Sequence, residues 1–386
     1  MKEVFYISGG DIFRAVSGGK PEAFSSEAVK KYKRNVREIE KKKEWKSKNE
    51  NSPFMGGMFL LAGGEENQFA GVTSVCLSGE KLIYSANLGT VGGLYTKDIA
   101  QKDDPESYII RKEGIKIHEI GYSQTAKKIA ASVSEDSIDK HIAVFSEDGS
   151  SFDILTEGDS VDAWPAFSQD NPDIIYYASA GLSFDERGNY KGAGKYEIIR
   201  LNLSTGELGE VLSDEKYDFI KPAEKDGKLY CIRRGKTPDS SALTPGDILL
   251  MPVKLLKAVG GFLNFFTQRY SGESMTGKTA GANPTKIQKK SDKELFIEGN
   301  LINAEKTMRE NASSGEKFPG VAPKSWELVS INENGAVEVI KKGVLDYCIG
   351  DGYIIYSNGK HIVLKDINGE TSICGADIAL SVRAAE

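Results

Sequence analysis

The sequence has few residues of the kind that bind metals or form disulfides. It contains three histidines and four cysteines in 386 residues, and no two cysteines stand in a CxxC arrangement. Zinc clusters and thioredoxin-like motifs need that close spacing, so neither is expected. Each cysteine lies in an apolar, strand-like run, which is typical of a small buried side chain. The histidines lie far apart without a carboxylate pattern beside them, so no metal, no cofactor and no catalytic residue set is predicted.

The sequence also lacks a signal segment, a membrane span and an excess of positive charge. Residues 1–8 have neither a long apolar core nor a small-residue cleavage site, which favours a cytoplasmic location. The most apolar run, 248–266, contains two lysines and a Gly pair, so no transmembrane segment is predicted. The formal net charge of −6 argues against nucleic acid binding across the whole surface.

What the sequence has instead is a repeat made of two β-hairpins. In five units a short strand leads through a polar turn into a β-rich strand, and the turns lie near 79–80, 124–127, 169–173, 225–227 and 350–352. Second hairpins follow four of these, with turns at 147–149, 204–206, 334–335 and 368–369. Asp-Gly and Asn-Gly turns between apolar runs are strong hairpin signals. Two hairpins give four strands, the unit of a β-propeller blade.

A sixth unit is divided between the two ends of the chain. Residues 378–382 form a lone strand-like run at the C-terminus, while 4–7, 12–16 and 21–24 supply three strands at the N-terminus. Pairing them closes the ring and removes the exposed sheet edges. The prediction is therefore an all-β, six-bladed propeller, a single domain over 1–386, in which the terminal strands share one blade.

The repeat units resemble the TolB-type propeller repeat, which also occurs in relatives of prolyl oligopeptidase. The best match is Trp164-Pro165-Ala166-Phe167-Ser168-Gln169-Asp170, followed by an apolar strand over 174–179 that ends in serine. The Pro-Asp-Gly that usually follows the serine is degraded in every unit. No hydrolase domain is expected after the propeller, so the peptidase activity of those relatives is not carried over.

Three long insertions are predicted on one face of the propeller, named here the insertion-bearing face: 25–70, 181–194 and 237–323. Residues 25–50 read as a helix with ten Lys/Arg and five Glu. This helix is either a solvated helix laid on the propeller or a basic patch for an anionic partner or lipid headgroups. Residues 237–323 contain the apolar run 248–266, read as a helix, and a Gly-rich loop. That helix packs on the propeller, lies on a membrane surface, or offers a partner face, namely Leu256, Val259, Phe262, Leu263 and Phe266.

Two motifs suggest small-molecule sites. Residues 272–279 fit a phosphate-binding loop pattern, but Ala280-Gly281-Ala282-Asn283-Pro284 follows and is poorly suited to open a helix, so a flexible loop is the preferred interpretation. Asp162, Asp218 and Asp346 start innermost strands and, with Trp164, are candidates for binding at the channel mouth, or else are solvated turn carboxylates.

The sequence therefore predicts a non-enzymatic propeller that recognises a protein or membrane-surface partner through its insertion-bearing face. The alternative is an enzyme whose site lies in the central channel on that same face and acts on a small or glycan-like substrate. Convergent carboxylates around a deep pocket would favour the alternative.

Overall fold

The structure is a computed structural model that describes residues 2–49, 70–100, 105–135, 138–188, 190–235, 294–297, 300–332 and 334–385. Within these ranges it confirms a six-bladed propeller of antiparallel strands. Blade 1 contains β1 (Glu3–Ser8), β2 (Asp11–Val16) and β3 (Glu22–Ala23), and helix α1 (Glu27–Asn49) follows it. The predicted partner face 256–266 and the phosphate-loop pattern 272–279 lie outside the described residues.

The next five blades follow in chain order from innermost to outermost strand. Blade 2 contains β4 (Ala70–Ser78), β5 (Lys81–Leu88), β6 (Val91–Asp98) and β7 (Ser107–Glu113); blade 3 contains β8 (Lys116–Ser123), β9 (Lys128–Ser134), β10 (His141–Ser146) and β11 (Phe152–Ile154). Blade 4 contains β12 (Ser160–Phe167), β13 (Ile174–Phe184), β14 (Tyr190–Ala193), β15 (Glu197–Asn202) and β16 (Leu208–Leu212), of which β14 pairs with the extension of β13.

Blade 5 carries an insertion between its second and third strands. It contains β17 (Tyr217–Lys225), β18 (Lys228–Gly235), β21 (Trp326–Ile331) and β22 (Val337–Lys342). The hairpin of β19 (Glu294–Ile297) and β20 (Asn300–Asn303) and helix α2 (Ala304–Ser313) lie between β18 and β21 in the chain. Blade 6 contains β23 (Asp346–Gly350), β24 (Tyr353–Ser357), β25 (His361–Asp366) and β26 (Gly369–Gly375).

The C-terminal strand β27 (Leu380–Ala385) completes blade 1 as its innermost strand. It pairs antiparallel with β1, with Glu3 opposite Ala385 and Ile7 opposite Leu380. This pairing confirms closure by the terminal strands. The strand begins two residues later than predicted because Ile378 takes a left-handed φ of 48° and donates its N–H to Gly359 at 2.8 Å.

The hydrophobic core lies between neighbouring blades. Ile83 and Leu94 of blade 2 cluster with Ile117 and Phe145 of blade 3, and similar clusters join blades 3 and 4 and blades 6 and 1. Each sheet therefore buries both faces against its neighbours. This explains why β5 is buried at every residue from Leu82 to Leu88 rather than at every second residue.

Innermost strands run from the insertion-bearing face to the opposite face, named here the turn face. The turn face carries the connections between the first and second strands, at 79–80, 124–127, 168–173, 226–227 and 351–352. Helix α1 is the inter-blade connection from β3 to β4, and α2 is part of the connection from β18 to β21. By topology both helices belong to the insertion-bearing face.

Candidate functional site

A β-bulge interrupts five of the six innermost strands. The exception is β23, which pairs with β24 without interruption. In the other blades the pairing register of the innermost strand shifts at Val72/Ser74, Ile117/Ile120, Ala163/Ala166, Ile220/Ala223 and, where β27 pairs with β1, Phe5/Ile7. Three non-glycine residues in these bulges take a left-handed φ: Trp164 at 52°, Lys221 at 54° and Ser381 at 52°. Such residues store about 1–3 kcal/mol of strain and cluster at functional sites. The bulge level of the channel is therefore the strongest candidate for a site.

A belt of hydrogen bonds joins the blades at the bulge level. Asp346 Oδ2 in blade 6 accepts from Lys221 Nζ in blade 5 at 2.5 Å and from the N–H of Ser381 in blade 1 at 3.0 Å. Ser381 Oγ lies 3.2 Å from Ser74 Oγ in blade 2. The N–H of Ile120 in blade 3 donates in turn to Ser74 Oγ at 3.1 Å. These contacts fix five blades relative to one another.

The Lys221–Asp346 pair is the buried ionic contact of this belt. The two side chains are 8% and 6% exposed. Burial opposes ionisation of Asp346, but the Lys221 ammonium, the Arg383 guanidinium and the Ser381 N–H together hold the pKa of this carboxyl below its ordinary value. Lys221 Nζ also donates to the carbonyl of Leu345 at 2.8 Å. The pair is thus ionised and hydrogen-bonded, as a buried ion pair must be.

The repeat serine of the second strand has a structural role in blades 2 and 3. Ser85 Oγ in blade 2 donates to the carbonyl of His118 in blade 3 at 3.0 Å, and Ser132 Oγ in blade 3 donates to the carbonyl of Asp162 in blade 4 at 2.6 Å. In both cases the acceptor lies on the innermost strand of the next blade. These two serines therefore join consecutive blades.

A cavity of about 310 Å³ extends from the bulges toward the turn face. Its lining comes from all six blades and includes Glu119, Trp164, Lys221, Lys225, Asp346 and Arg383. On the five bulged strands the lining begins at the bulge, and their first residues, such as Ala70 and Lys116, do not line the cavity; in β23, which has no bulge, the lining begins at Asp346. The cavity therefore lies toward the turn face. The alternative hypothesis from the sequence placed its channel site on the insertion-bearing face instead.

Two of the four predicted channel-mouth residues line this cavity. Trp164 and Asp346 do so, whereas Asp162 and Asp218 do not. The bulges show why: Asp162 and Asp218 both precede the bulge of their strand, whereas the cavity lining of these two strands starts at the bulge, with Trp164 and Lys221. Participation of these four residues in ligand binding stays a prediction.

Asp162 and Asp218 are both held by neighbours outside the cavity. Asp162 accepts hydrogen bonds of 2.6 Å from Thr156 Oγ1 and from Ser179 Oγ, and burial raises its pKa above the ordinary value despite these bonds. Asp218 Oδ2 lies 3.5 Å from Arg234, and its Oδ1 lies 3.7 Å from Lys195. Their contacts hold blade structure together.

Sequence reasoning missed the cations of the cavity. Lys221 was visible only as part of Lys221-Pro222, which occupies the same bulge position as Trp164-Pro165. Arg383 lies in the closing strand β27, outside any recognised motif. The X-Pro pair that β12 and β17 share was the sequence signal that could have pointed to this bulge position.

On the insertion-bearing face, α1 is attached to the ring by its first two turns. Ser26 Oγ accepts from the N–H of Val29 at 3.3 Å, and the Glu106 carboxylate accepts from the N–H groups of Glu27 and Ala28, each at 3.0 Å. A carboxylate at a helix N-terminus satisfies free N–H groups and complements the helix dipole. Val29 is fully buried in the core.

Beyond these turns α1 leaves the ring. Lys33 makes an ion pair with Asp11 at 3.4 Å. Of the side chains described after Lys33, those at 34, 35, 37–39, 41 and 42 are exposed, and Val36 alone is half-buried. The helix is therefore a projecting arm rather than a helix packed along its length.

Over the described ranges, no group of three or more His, Cys, Asp or Glu side chains is arranged to hold a metal ion. No helix in the same ranges combines the length and the apolar character needed to cross a membrane.

Comparison with known proteins supports the fold. TolB from Acinetobacter baumannii matches over 100% of this chain with a TM-score of 0.51 and 9% identity, and the match covers 66% of that chain, less than two thirds of its length. A protein described as TolB from Agrobacterium tumefaciens matches 62% of this chain at 16% identity, and a prolyl endopeptidase structure matches 100% at 8%, with TM-scores of 0.40 and 0.38. No family model and no curated protein matches the sequence. At these identities the first match shows the fold alone: a TolB-type six-bladed propeller, as the repeat indicated.

Proposed function

We propose that this protein is a binding propeller that recognises an acidic partner protein through its insertion-bearing face. The observation that carries the proposal is α1, a basic helix attached by its first two turns and exposed beyond Lys33. A rigid ring with a projecting charged helix is suited to recognition, since loops and added elements on a scaffold commonly carry function. A binding role rather than catalysis is also consistent with Asp162 and Asp218, whose carboxylates are engaged in contacts within the blades.

The charge of α1 determines the chemistry of the partner. The helix contains ten Lys/Arg and four Glu, a net charge of +6, whereas the whole chain carries −6, so the other residues sum to −12. Such an asymmetry creates a positive field on one side of an otherwise acidic protein. An acidic segment is attracted to the arm and repelled by the remainder, which orients the complex and speeds association.

A protein partner fits this arrangement better than an anionic membrane. Helices that lie in a membrane interface bury an apolar face. In α1, Val29 is already buried in the ring. Among the described apolar side chains of this helix, Ile39 is the one that is clearly exposed, at 52%. An extended anionic bilayer would also face the acidic ring, whereas a single acidic segment can contact the helix alone.

An exposed aromatic pair provides a second contact on the same face. Phe184 and Tyr190 belong to the β13–β14 hairpin, and their rings meet edge to face at a centroid distance of 6.2 Å. They are 38% and 49% exposed. Aromatic residues are enriched among the residues that dominate binding energy at protein interfaces.

The test is charge reversal on α1. The triple variant Arg34→Glu, Arg37→Glu, Lys41→Glu should weaken binding of a fluorescein-labelled decaglutamate peptide at least tenfold, measured by fluorescence anisotropy at low and at physiological salt. Wild-type binding should weaken as salt rises, because exposed charges are screened within about 10 Å at 0.1 M salt.

The matched control is Lys81→Glu, Lys128→Glu, Lys228→Glu on the turn face, where the same change in net charge falls on exposed second-strand residues. We expect less than a threefold effect from this control. Equal weakening by both triples would contradict a role for α1. Binding of phosphatidylserine vesicles through α1, without binding of the peptide, would contradict the protein partner and favour a membrane surface.

A further inference from the structure

The turn-face half of the channel contains a cation that the proposed binding face does not use. Arg383 projects from the closing strand β27 into the 310 Å³ cavity, and its side chain is 32% exposed. One guanidinium nitrogen donates to the carbonyl of Val382 at 2.7 Å. Among the described residues, the closest carboxylate contact of Arg383 is to Asp346 Oδ1 at 4.0 Å. The remaining N–H groups are therefore available to a ligand in the cavity.

Asp346 is shared between two cations, Lys221 and Arg383, so its single charge does not offset both of theirs. Oδ2 accepts from Lys221 at 2.5 Å and from the N–H of Ser381 at 3.0 Å, while Oδ1 accepts from the N–H of Val382 at 3.3 Å. The carboxylate thus serves the belt between blades 5, 6 and 1. The guanidinium of Arg383 lies 4.0 Å from Asp346 Oδ1, which is the outer limit of an ion-pair distance.

The two thiols on which Arg383 acts carry no negative charge at neutral pH. Burial raises the pKa of the Cys76 thiol to about 12 and that of the Cys348 thiol to about 11, although Arg383 acts to lower both. Both cysteines line the cavity, one from blade 2 and one from blade 6. Arg383 therefore lies near two neutral thiols, and the carboxylate that it contacts, Asp346, is shared with Lys221.

Glu224, an acidic lining residue of blade 5, is engaged by its neighbours. It accepts hydrogen bonds from Tyr176 at 3.0 Å and from Ser168. A further lining cation, Lys225, has as its ion-pair partner Asp351, which is 89% exposed and so screened by solvent.

Part of the mixed polar and apolar wall of the cavity is aromatic or aliphatic. Tyr122, Phe167, Ile349 and Tyr353 line it from blades 3, 4 and 6. A volume of about 310 Å³ is at the lower end of the range for ligand pockets. Ser381 has its left-handed φ of 52° two residues before Arg383, within the bulged pairing of β27, so the backbone that carries the guanidinium is fixed in advance.

We propose that the turn-face half of the channel binds a small organic anion through Arg383. The anionic group is a carboxylate or a phosphate, which the planar guanidinium can hold with two parallel hydrogen bonds. The aromatic walls cover the rest of the ligand. This site is independent of α1 and lies on the other face of the ring.

The test uses benzoate and phenyl phosphate as probes and benzylamine as the cationic control, with dissociation constants measured by ligand-observed NMR and calorimetry. We expect the anions to bind and benzylamine not to bind. Arg383→Gln should weaken the better anion at least tenfold, and Arg383→Lys should give an intermediate loss because the charge stays but the paired geometry is lost. Comparison of the two anions identifies the preferred group.

The matched control is Arg187→Gln, an exposed arginine on the insertion-bearing face, which should leave the dissociation constants unchanged. If Arg383→Gln fails to fold, the wild-type melting temperature decides: anions should raise it and benzylamine should not. Equal binding of benzylamine, no binding of either anion at millimolar concentration, or an unchanged constant in a folded Arg383→Gln variant would overturn the proposal.

Discussion

At the residue scale, the interior of the ring depends most on the buried ion pair between Lys221 and Asp346. Removing one partner of a buried ion pair leaves an uncompensated charge and costs about 3–5 kcal/mol. We therefore expect Asp346→Asn to lower the free energy of unfolding by about 3 kcal/mol or more. Asp162→Asn should cost less, because the pKa of Asp162 is already raised by burial and its partners are hydroxyl groups that can also accept. Urea denaturation of the two variants measures the difference.

The same pair predicts a dependence of stability on pH. The folded-state pKa of Asp346 lies below its ordinary value of 3.8. Its stabilisation is therefore fully present above about pH 4 and is lost as the pH falls through the lower folded-state pKa. The difference in unfolding free energy between the wild type and Asp346→Asn should shrink on acidification below pH 4. A constant difference down to pH 2 would contradict an ionised Asp346.

At the scale of the element, α1 depends on a residue distant in sequence. Glu106 precedes β7 in blade 2 and accepts from the N–H groups of Glu27 and Ala28. Loss of an N-terminal cap costs about 0.5–2 kcal/mol. Glu106→Ala should therefore increase amide hydrogen exchange in residues 27–33 while leaving blades 4 and 5 unchanged. Unchanged exchange in that turn would show that Ser26 and Val29 alone hold the arm.

The individual strands were largely predictable from sequence, and the channel was not. Asn-Gly and Asp-Gly turns and paired apolar runs indicate each hairpin, because they reflect local backbone chemistry. Which residues line the channel depends on the bulges, because Asp162 and Asp218 precede the bulge of their strands and neither lines the cavity. The pairing of Lys221 with Asp346 joins residues 125 positions apart in different blades. No local pattern encodes such a contact.

At the scale of the whole molecule, both proposed sites depend on a closed ring. Arg383 and Ser381 reach the channel on β27, and α1 leaves blade 1, which β27 completes. The closing strand also buries Leu380 and Val382 fully in the core. Closure was predictable because a lone first strand at one end matched three leftover strands at the other, and unpaired edges are unfavourable.

Deletion of residues 377–386, with a permuted control, tests this closed ring most directly. We expect the deletion to lower the melting temperature by roughly 10 °C or more and to broaden the transition, because it removes an innermost strand and opens the ring. In the control, residues 377–386 are moved to a position directly before Met1. Because Glu3 pairs with Ala385, residues 386, 1 and 2 would then form the turn between β27 and β1. The permuted protein should regain the wild-type melting temperature. An unchanged melting temperature after simple deletion would contradict ring closure and both sites built upon it.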